Sequence, residues 1–212
     1  ILILGNGFIG SYLYKHITRF FEVYIINKAQ VDYTDCDVLT QYINDKGPYQ
    51  FIINASGYTG RPNVDACEDD KKNTWLYNVI VPVNIHKVCK ATGHKLIHIS
   101  SGCVYDGYEK NFTEEDEPNF GMFSEHSSWY SKTKHAAEML LKDEEVYIFR
   151  IRMPFCKENT QRNYLTKLIS YNNIIDQQNS MTCVEDLVEF IMLFMLDIIE
   201  DNQEIPGGIY NV

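Results

Sequence analysis

The sequence has no pair of cysteines at the CxxC spacing and no cysteine–histidine spacing suited to a zinc ion. We therefore expect no metal centre. The cysteines are scattered along the chain, and we interpret them as reduced thiols, the state typical of a cytoplasmic protein. They lie at positions 36, 67, 89, 103, 156 and 183.

Clustered basic residues and long apolar runs are also lacking. Nineteen Lys and Arg oppose 29 Asp and Glu, which gives a net charge of −10. This charge repels a phosphate backbone, so we expect no nucleic-acid partner. The most apolar stretch, Leu187–Ile199, contains Glu189 and Asp197. It is also shorter than the roughly 20 residues of a membrane span, so we expect no membrane partner.

No internal repeat or low-complexity segment is present, and a composition of 45% hydrophobic and 23% charged residues is typical of a globular protein. Short β-branched runs alternate with helical patterns over the first 151 residues. Because these runs are continuously apolar, they indicate a parallel sheet covered on both faces, and five of them predict a doubly wound Rossmann-type α/β fold. The predicted strands are Ile1–Leu4, Val23–Ile26, Phe51–Ile53, Lys95–Ile99 and Val146–Ile151.

A glycine-rich turn follows the first strand and opens a helix. It reads Gly5-Asn6-Gly7-Phe8-Ile9-Gly10, a GxGxxG pattern in the context that a dinucleotide site requires. Gly5 permits the tight turn, Gly7 lets the backbone approach a pyrophosphate, and Gly10 allows close helix–strand packing. Free N–H groups at the start of the helix then bind the negative charge.

The end of the second strand indicates which dinucleotide binds. A site for NAD usually places an acid there to bind the ribose 2′-hydroxyl. This chain has Asn27 and Lys28 instead, and a cation suits a 2′-phosphate. The sequence therefore favours NADPH and leaves NADH open, since Lys28 reads equally well as a solvated surface residue.

A second group of residues has the side chains of a catalytic site. Tyr130 and Lys134 lie four residues apart on a predicted helix, so both side chains project from one face. A nearby cation favours the phenolate and lowers the pKa of a phenol toward the working range. Ser100 and Ser101 end the preceding strand, where a hydroxyl polarises a carbonyl beside the phenol.

Together these features resemble the extended short-chain dehydrogenase/reductase family, whose pattern is GxGxxG, then Ser or Thr, then YxxxK. Alignment on Val104-Tyr105 places the family hydroxyl at Ser101. The resemblance implies that Tyr130 and Lys134 also touch the cofactor. It implies further cofactor contacts at Phe8, Ile9, Asp32, Tyr33, Ala55, Ser56, Gly57, Asn78 and Pro154.

More specific segments resemble the bifunctional nucleotide-rhamnose synthases, which are 4-keto-6-deoxyglucose 3,5-epimerase/4-keto-reductases. They are Gly60–Asp65, Gly102-Cys103, Arg150–Pro154, Arg162–Lys167 and Asn179–Thr182. The resemblance implies a nucleotide-sugar substrate, UDP-linked by preference, and an epimerase pair formed by Cys103 and Lys167. Singly, Cys103 also fits a small buried apolar residue and Lys167 a solvated helix lysine.

The resemblance implies substrate contacts at Ser101 and Asn163. Arg61, Asn63 and Arg162 are candidates for the sugar hydroxyls or the diphosphate, or else are surface residues. Two other functions remain open. One is a dTDP-4-dehydrorhamnose reductase without epimerase activity, and the other is a non-catalytic nucleotide-binding regulatory subunit. Members of the family are commonly dimers, so a homodimer is among the expected assemblies.

The last third of the chain lacks the regular alternation of strands and helices seen before it. Helical patterns at Tyr164–Tyr171 and Val184–Ile199 flank a polar segment, Asp176–Ser180. We expect residues 1–154 to form the NADP-binding Rossmann domain with the catalytic residues. Residues 155–212 would form a substrate-binding lobe that partly returns to that domain. Both ends of the sequence lie in strand-like runs, so we expect the lobe to be truncated here.

Overall fold

A single parallel sheet of six strands organises the chain. The computed structural model describes residues 1–142, 144–200 and 205–212. The strand order is β2-β1-β3-β4-β5-β6, which confirms the predicted doubly wound α/β fold. The strands are β1 (Leu2–Leu4), β2 (Tyr24–Ile26), β3 (Phe51–Asn54), β4 (Lys95–Ser101), β5 (Val146–Ile151) and β6 (Gly208–Asn211).

Successive residues of the central strands supply two separate cores. Ile1 and Ile3 pack into one cluster, while Leu2 and Leu4 pack into the other. This division arises because neighbouring side chains on a strand point to opposite faces of the sheet. Burial on both faces explains why the strands are continuously apolar in sequence.

Helices cover both faces of the sheet. They are α1 (Phe8–Ile17), α2 (Cys36–Lys46), α3 (Lys71–Trp75), α4 (Val81–Thr92), α5 (Trp129–Leu141), α6 (Tyr164–Ile169) and α7 (Val184–Ile199). Among the described residues, no helix is long and apolar enough to cross a bilayer.

A wide π-helical turn at Leu76–Ile80 joins α3 to α4. The N–H of Val81 bonds to the carbonyl of Leu76, five residues back. Pro82 follows, and it has no N–H to continue the regular ladder. The turn widens the helix directly beside Asn78.

The last part of the chain returns to the sheet. Leu187 and Ile191 of α7 lie in the same core cluster as Leu13 and Ile17 of α1. Strand β6 pairs with β5. Between these elements and the end of β5, only the short helix α6 and irregular segments remain, so the substrate-binding lobe stays a prediction for that stretch.

One carboxylate fastens this returning segment to α1. Glu185, at the start of α7, accepts hydrogen bonds from the Tyr12 hydroxyl at 2.8 Å and the Lys157 N–H at 3.0 Å. Burial acts to raise the pKa of Glu185, but these hydrogen bonds outweigh it and lower the pKa from 4.5 to about 2. The carboxylate therefore stabilises the folded state only while it is ionised.

We expect Glu185→Gln to lower the free energy of unfolding by roughly 1–3 kcal/mol at pH 7, because charged hydrogen bonds are lost. Since the pKa is depressed on folding, the difference from wild type is complete above pH 4.5 and shrinks as the pH falls toward 2. Urea unfolding at pH 7, 5 and 3 measures it. Glu189→Gln, at an exposed position on the same helix, is the control, and an equal loss at all three pH values would contradict this account.

Candidate active site

The glycine turn after β1 has no room for a side chain at Gly5 or at Gly10. Gly5 has a φ of +100°, and a Cβ there would lie 2.8 Å from the backbone of Ser56. A Cβ on Gly10 would lie 1.9 Å from the carbonyl oxygen of Gly5. Gly7 caps α1 with no side chain, and nothing lies within 4 Å of where its Cβ would be. The first turn of α1, with Phe8 and Ile9, therefore presents free N–H groups that fit a pyrophosphate.

The segment after β2 forms a closed turn with Lys28 near its tip. The Asn27 side-chain oxygen accepts from the N–H groups of Ala29 and Gln30, at 2.9 and 3.2 Å. Lys28 donates to the hydroxyl of Tyr77 at 2.7 Å. This hydrogen bond is the largest cause of a raised pKa at Lys28, so the ammonium is firmly held.

The turn after β3 connects the glycine turn to α5. Ser56 donates from both its N–H and its hydroxyl to Asn54, and Ala55 pairs with Leu4 of β1. A Cβ on Gly57 would lie 3.3 Å from Asn78 Oδ1 and 3.7 Å from Lys134 Nζ, so Gly57 permits this approach. The structure thus brings these predicted cofactor residues to one edge of the sheet.

Asn78 clamps two of these elements together. Its Oδ1 accepts from the N–H of Tyr58 at 2.7 Å, while its Nδ2 donates to the carbonyl of Tyr58 and to Thr133 Oγ1. Thr133 lies on α5 between Tyr130 and Lys134. Asn78 therefore fixes the catalytic helix against the turn after β3.

The choice between the two candidate hydroxyls is settled by hydrogen bonding. Ser100 donates to Glu138 at 2.5 Å inside the core, so its hydroxyl is engaged away from the cleft. Ser101, at the carboxyl end of β4, lies beside Tyr130, and its hydroxyl lowers the pKa of the phenol as a hydrogen-bond partner. Both Ser101 and Tyr130 are buried. The geometry therefore selects Ser101, as the alignment predicted.

Burial has the largest effect on the pKa of Tyr130, which it raises, and Cys103 acts in the same direction. The Lys134 ammonium donates to the carbonyl of Ile99 at 3.3 Å. Burial also lowers the pKa of Lys134 to about 8, although Glu138 and Cys103 oppose that shift. Burial therefore determines the direction of both shifts, and the support of a phenolate by Lys134 stays a prediction.

The pH dependence of turnover follows from that lysine. We expect kcat/KM to fall above pH 8, because Lys134 loses its proton there and no longer supports a phenolate. Rates measured from pH 6 to 10 test this. Lys132→Gln, on the same helix, should leave the alkaline limb in place, and a flat profile up to pH 10 would contradict the assignment.

Cys103 lies next to the catalytic pair in a short 3-10 turn, Gly102–Val104. Its N–H donates to Ser101 Oγ at 3.2 Å. Arg152 holds the turn from both sides, since its Nη1 donates to the carbonyls of Gly102 and Tyr105 at 2.8 and 3.2 Å. The sulfur is close enough to Tyr130 and Lys134 to shift the pKa of each.

Lys167 lies on α6, half-buried, and its amine makes no hydrogen bond or ion pair with the described residues. Burial lowers its pKa, and Arg162 adds to that shift. Arg162 in turn donates to Thr59 Oγ1 at 3.1 Å and to the carbonyl of Gly60 at 3.0 Å, in the loop after β3.

Asn163, predicted to bind substrate, has a structural role instead. It is buried, and its amide donates to the carbonyls of Cys156 and Glu158 and accepts from Leu165 N–H. That expectation is corrected here, because a short polar side chain before a turn satisfies local backbone groups first. Asn63 caps the turn at Val64–Cys67 but is exposed, so its substrate contact stays a prediction. Arg61 is exposed, and Pro154 accepts a hydrogen bond from Tyr164 N–H at the start of α6.

Sequence reasoning missed four residues around this site. Glu138 and Arg150 form a buried ion pair at 2.6 Å between α5 and β5. Arg152 binds the turn that carries Cys103, and Tyr77 binds Lys28. Only the segment Arg150–Pro154 carried a signal, since charged residues at the end of a buried strand are unusual.

A cavity of about 550 Å³ adjoins Arg152. Its walls combine the loop after the Cys103 turn with the polar segment before α7. The lining side chains include Tyr108, Lys110, Phe112, Gln178, Asn179 and Ser180. Arg152 forms no ion pair among the described residues, although the carboxylate of Glu109 also lines this cavity.

The sequence is similar to known proteins along its whole length. The profile of the family described as RmlD substrate binding domain matches residues 1–212. The trifunctional UDP-glucose 4,6-dehydratase/UDP-4-keto-6-deoxy-D-glucose 3,5-epimerase/UDP-4-keto-L-rhamnose-reductase of Arabidopsis thaliana is 36% identical over 197 residues, 88% of this chain and 28% of that protein. The bifunctional dTDP-4-dehydrorhamnose 3,5-epimerase/dTDP-4-dehydrorhamnose reductase of the same plant is 40% identical over 146 residues, 65% of this chain and 47% of that protein. The chain thus spans less than half the length of these two relatives.

Two solved structures superpose on nearly the whole chain. The UDP-rhamnose synthase from Acanthamoeba polyphaga mimivirus superposes with a TM-score of 0.82 at 27% identity, covering 99% of this chain and 73% of that one. A dTDP-4-dehydrorhamnose reductase from Clostridium acetobutylicum superposes with a TM-score of 0.78 at 26% identity, covering 100% and 72%.

Proposed function

The chain belongs to the family of RmlD substrate-binding domains, and from that premise we propose that it converts a nucleotide-linked 4-keto-6-deoxy-D-glucose to the L-rhamnose derivative. The proposed sequence is inversion at C3 and C5 followed by NADPH-dependent reduction at C4. The observation that carries the proposal is the grouping of Ser101, Cys103, Tyr130 and Lys134 at the edge of the sheet that bears the glycine turn.

The residues present fit a phosphorylated dinucleotide. Gly5 and Gly10 have no space for a side chain, Gly7 leaves open space before α1, and the start of α1 has no side-chain cap. Lys28 supplies a cation where a 2′-phosphate is expected. Reductases of the same fold have been solved with NADP and NADPH. When bound, NADPH supplies the hydride for C4.

In the proposed reduction, the side chains of this protein handle the oxygen and the proton. Ser101 and Tyr130 donate hydrogen bonds to the C4 oxygen, which stabilises negative charge as it develops there. Tyr130 then gives its proton to that oxygen. Lys134, close to the phenol and protonated below pH 8, stabilises the phenolate that remains.

In the proposed inversion, the same two donors stabilise the enolate at O4, because C3 and C5 both flank the ketone. Inversion also requires acid/base groups on opposite faces of the ring. Cys103 is fixed beside Tyr130, while Lys167 is an unpaired, half-buried amine with a lowered pKa. These properties support Cys103 and Lys167 as the pair, and 3,5-epimerase activity is part of the names of both plant relatives.

We place the nucleoside diphosphate of the substrate in the cavity beside Arg152. A guanidinium that forms no ion pair among the described residues suits a diphosphate, and the exposed ring of Tyr108 is available to the base. Arg162 lies close enough to Lys167 to lower the pKa of that amine. UDP is the preferred nucleotide because the plant trifunctional relative and the viral synthase are named for UDP-linked sugars.

We further place the protein in the cytoplasm and expect it to act as a soluble enzyme, with a homodimer as its candidate assembly. The support is chemical: all six cysteines are free thiols, the state that persists in a reducing compartment.

Product analysis tests the proposal. The protein is incubated with NADPH and UDP-4-keto-6-deoxy-D-glucose, and the sugar nucleotide formed is identified by NMR. Formation of UDP-L-rhamnose supports both activities. A product reduced at C4 but still in the D-gluco or D-galacto series would leave a reductase alone. No consumption of NADPH, with UDP- or dTDP-linked substrate, would favour the regulatory subunit.

A further inference from the structure

Lys28 is held in place before any ligand arrives. The Asn27 side chain and the Gln30 side chain close the turn around it, since Gln30 Oε1 also accepts from the Asn27 N–H at 3.0 Å. The Lys28 ammonium donates to the Tyr77 hydroxyl at 2.7 Å and lies 5.0 Å from the centre of that ring. A lysine side chain loses rotamer entropy when it is fixed, and the hydrogen bond to Tyr77 already accounts for part of that loss.

Tyr77 is held in place by its helical turn and by a neighbouring aromatic ring. It belongs to the π-helical turn at Leu76–Ile80, next to Asn78. Its ring stacks on that of Tyr58, with centroids 6.4 Å apart and an angle of 16° between the planes. Tyr58 donates its own hydroxyl to Asp70 at 2.8 Å. The Tyr77 phenol is therefore a rigid support for Lys28.

The pair retains unused hydrogen-bond donors. An ammonium has three N–H donors, and Tyr77 takes one of them. The Tyr77 oxygen acts as the acceptor in that bond, so its O–H hydrogen is left to donate elsewhere. The cluster therefore offers up to three donors and one positive charge, the chemistry that a phosphate monoester requires.

The nearby acid does not compete for this position. Asp32 accepts from both the N–H and the hydroxyl of Thr34, at 3.2 and 2.5 Å. These bonds hold its carboxylate within its own loop and lower its pKa, with the Thr34 hydroxyl as the largest cause.

We propose that Tyr77 and Lys28 together form a phosphate-monoester site that selects dinucleotides with a 2′-phosphate. Tyr77 both positions Lys28 and donates to the phosphate. This inference rests on the proposed function, since it assumes that the glycine turn binds a nicotinamide dinucleotide.

Binding of two adenosine fragments tests the site without any turnover. The probes are adenosine 2′,5′-bisphosphate and AMP, which differ only in the 2′-phosphate. Isothermal titration calorimetry gives the Kd of each for wild type, Tyr77→Phe and Lys28→Gln. Tyr77→Phe keeps the ring that stacks on Tyr58, and Tyr171→Phe, at an exposed position, is the matched control.

We expect the Tyr77→Phe change to weaken the bisphosphate about tenfold and to leave AMP unchanged, because one hydrogen bond to a charged group is lost. Lys28→Gln should weaken the bisphosphate further. In the double variant the two losses should not add, since Tyr77 acts partly through Lys28. The ratio of kcat/KM for NADPH to that for NADH should fall in parallel.

Three outcomes would overturn the inference. They are equal weakening of both probes by Tyr77→Phe, no weakening of either, and full additivity in the double variant. A wild type that reduces the keto sugar yet binds AMP as well as the bisphosphate also removes the inference while the proposed reductase survives. A wild type that binds the bisphosphate selectively but reduces no sugar removes the proposed activity and leaves the site.

Discussion

Tyr130→Phe should lower the turnover of a nucleotide-linked 4-keto sugar by about 10²–10⁴-fold, the range expected for loss of a general acid. The phenylalanine ring fills the same buried space, so only the hydroxyl beside Ser101 is removed. The measurement is NADPH oxidation at saturating substrate, together with the Kd of NADPH. We expect kcat to carry the loss and the Kd to change little.

Tyr14→Phe is the matched control, because that tyrosine is exposed on α1. It should retain wild-type turnover and stability. A Tyr130→Phe variant with more than half of wild-type kcat would contradict the role of Tyr130 as proton donor. A loss confined to KM would instead indicate that the hydroxyl only binds substrate.

Glu138→Gln should lower the free energy of unfolding by about 3–5 kcal/mol, because it leaves Arg150 as an unpaired buried charge. Both residues are almost fully buried, and the guanidinium makes three hydrogen bonds to the carboxylate. Ser100 and Tyr105 bind the same pair, at 2.5 Å each. Urea unfolding at pH 7 measures the loss.

The double variant Glu138→Gln/Arg150→Met should recover most of that stability, since no charge is then buried without a partner. An exposed ion pair provides the comparison. Glu144 accepts from Lys90 at 2.7 Å on the surface, and Glu144→Gln should change the free energy of unfolding little. A Glu138→Gln loss as small as that of Glu144→Gln would contradict the importance of the buried pair.

The fold was predictable because its signals are local. The strand runs, the glycine turn and the spacing of Tyr130 and Lys134 each lie within a few residues of sequence. A parallel sheet then places the carboxyl ends of its strands along one edge, which brings Gly5, Ala55 and Ser101 together. The interruption of the central helix at Leu76–Ile80 had only the single cue of Pro82.

The rest depends on contacts between distant parts of the chain. Tyr77 meets Lys28 across 49 positions, and Arg152 reaches Gly102 across 50. No spacing rule predicts such pairs. The sequence predicted a lowered pKa for Tyr130, which is raised, and did not predict the lowered pKa of Lys134. Both shifts follow from burial, which cannot be measured from a motif. Asn163 shows the converse error, because a motif asparagine proved to be a helix cap.

Deuterium exchange without NADPH is the most direct test of a shared site for both chemistries. UDP-4-keto-6-deoxy-D-glucose is incubated in deuterated water with wild type, Cys103→Ala, Lys167→Met and the control Lys157→Met, and NMR follows C3 and C5. The account predicts deuterium at both carbons with wild type and the control, and at least a hundredfold slower exchange in the other two. A wild type that reduces the ketone when NADPH is added, yet incorporates no deuterium at either carbon, would contradict it.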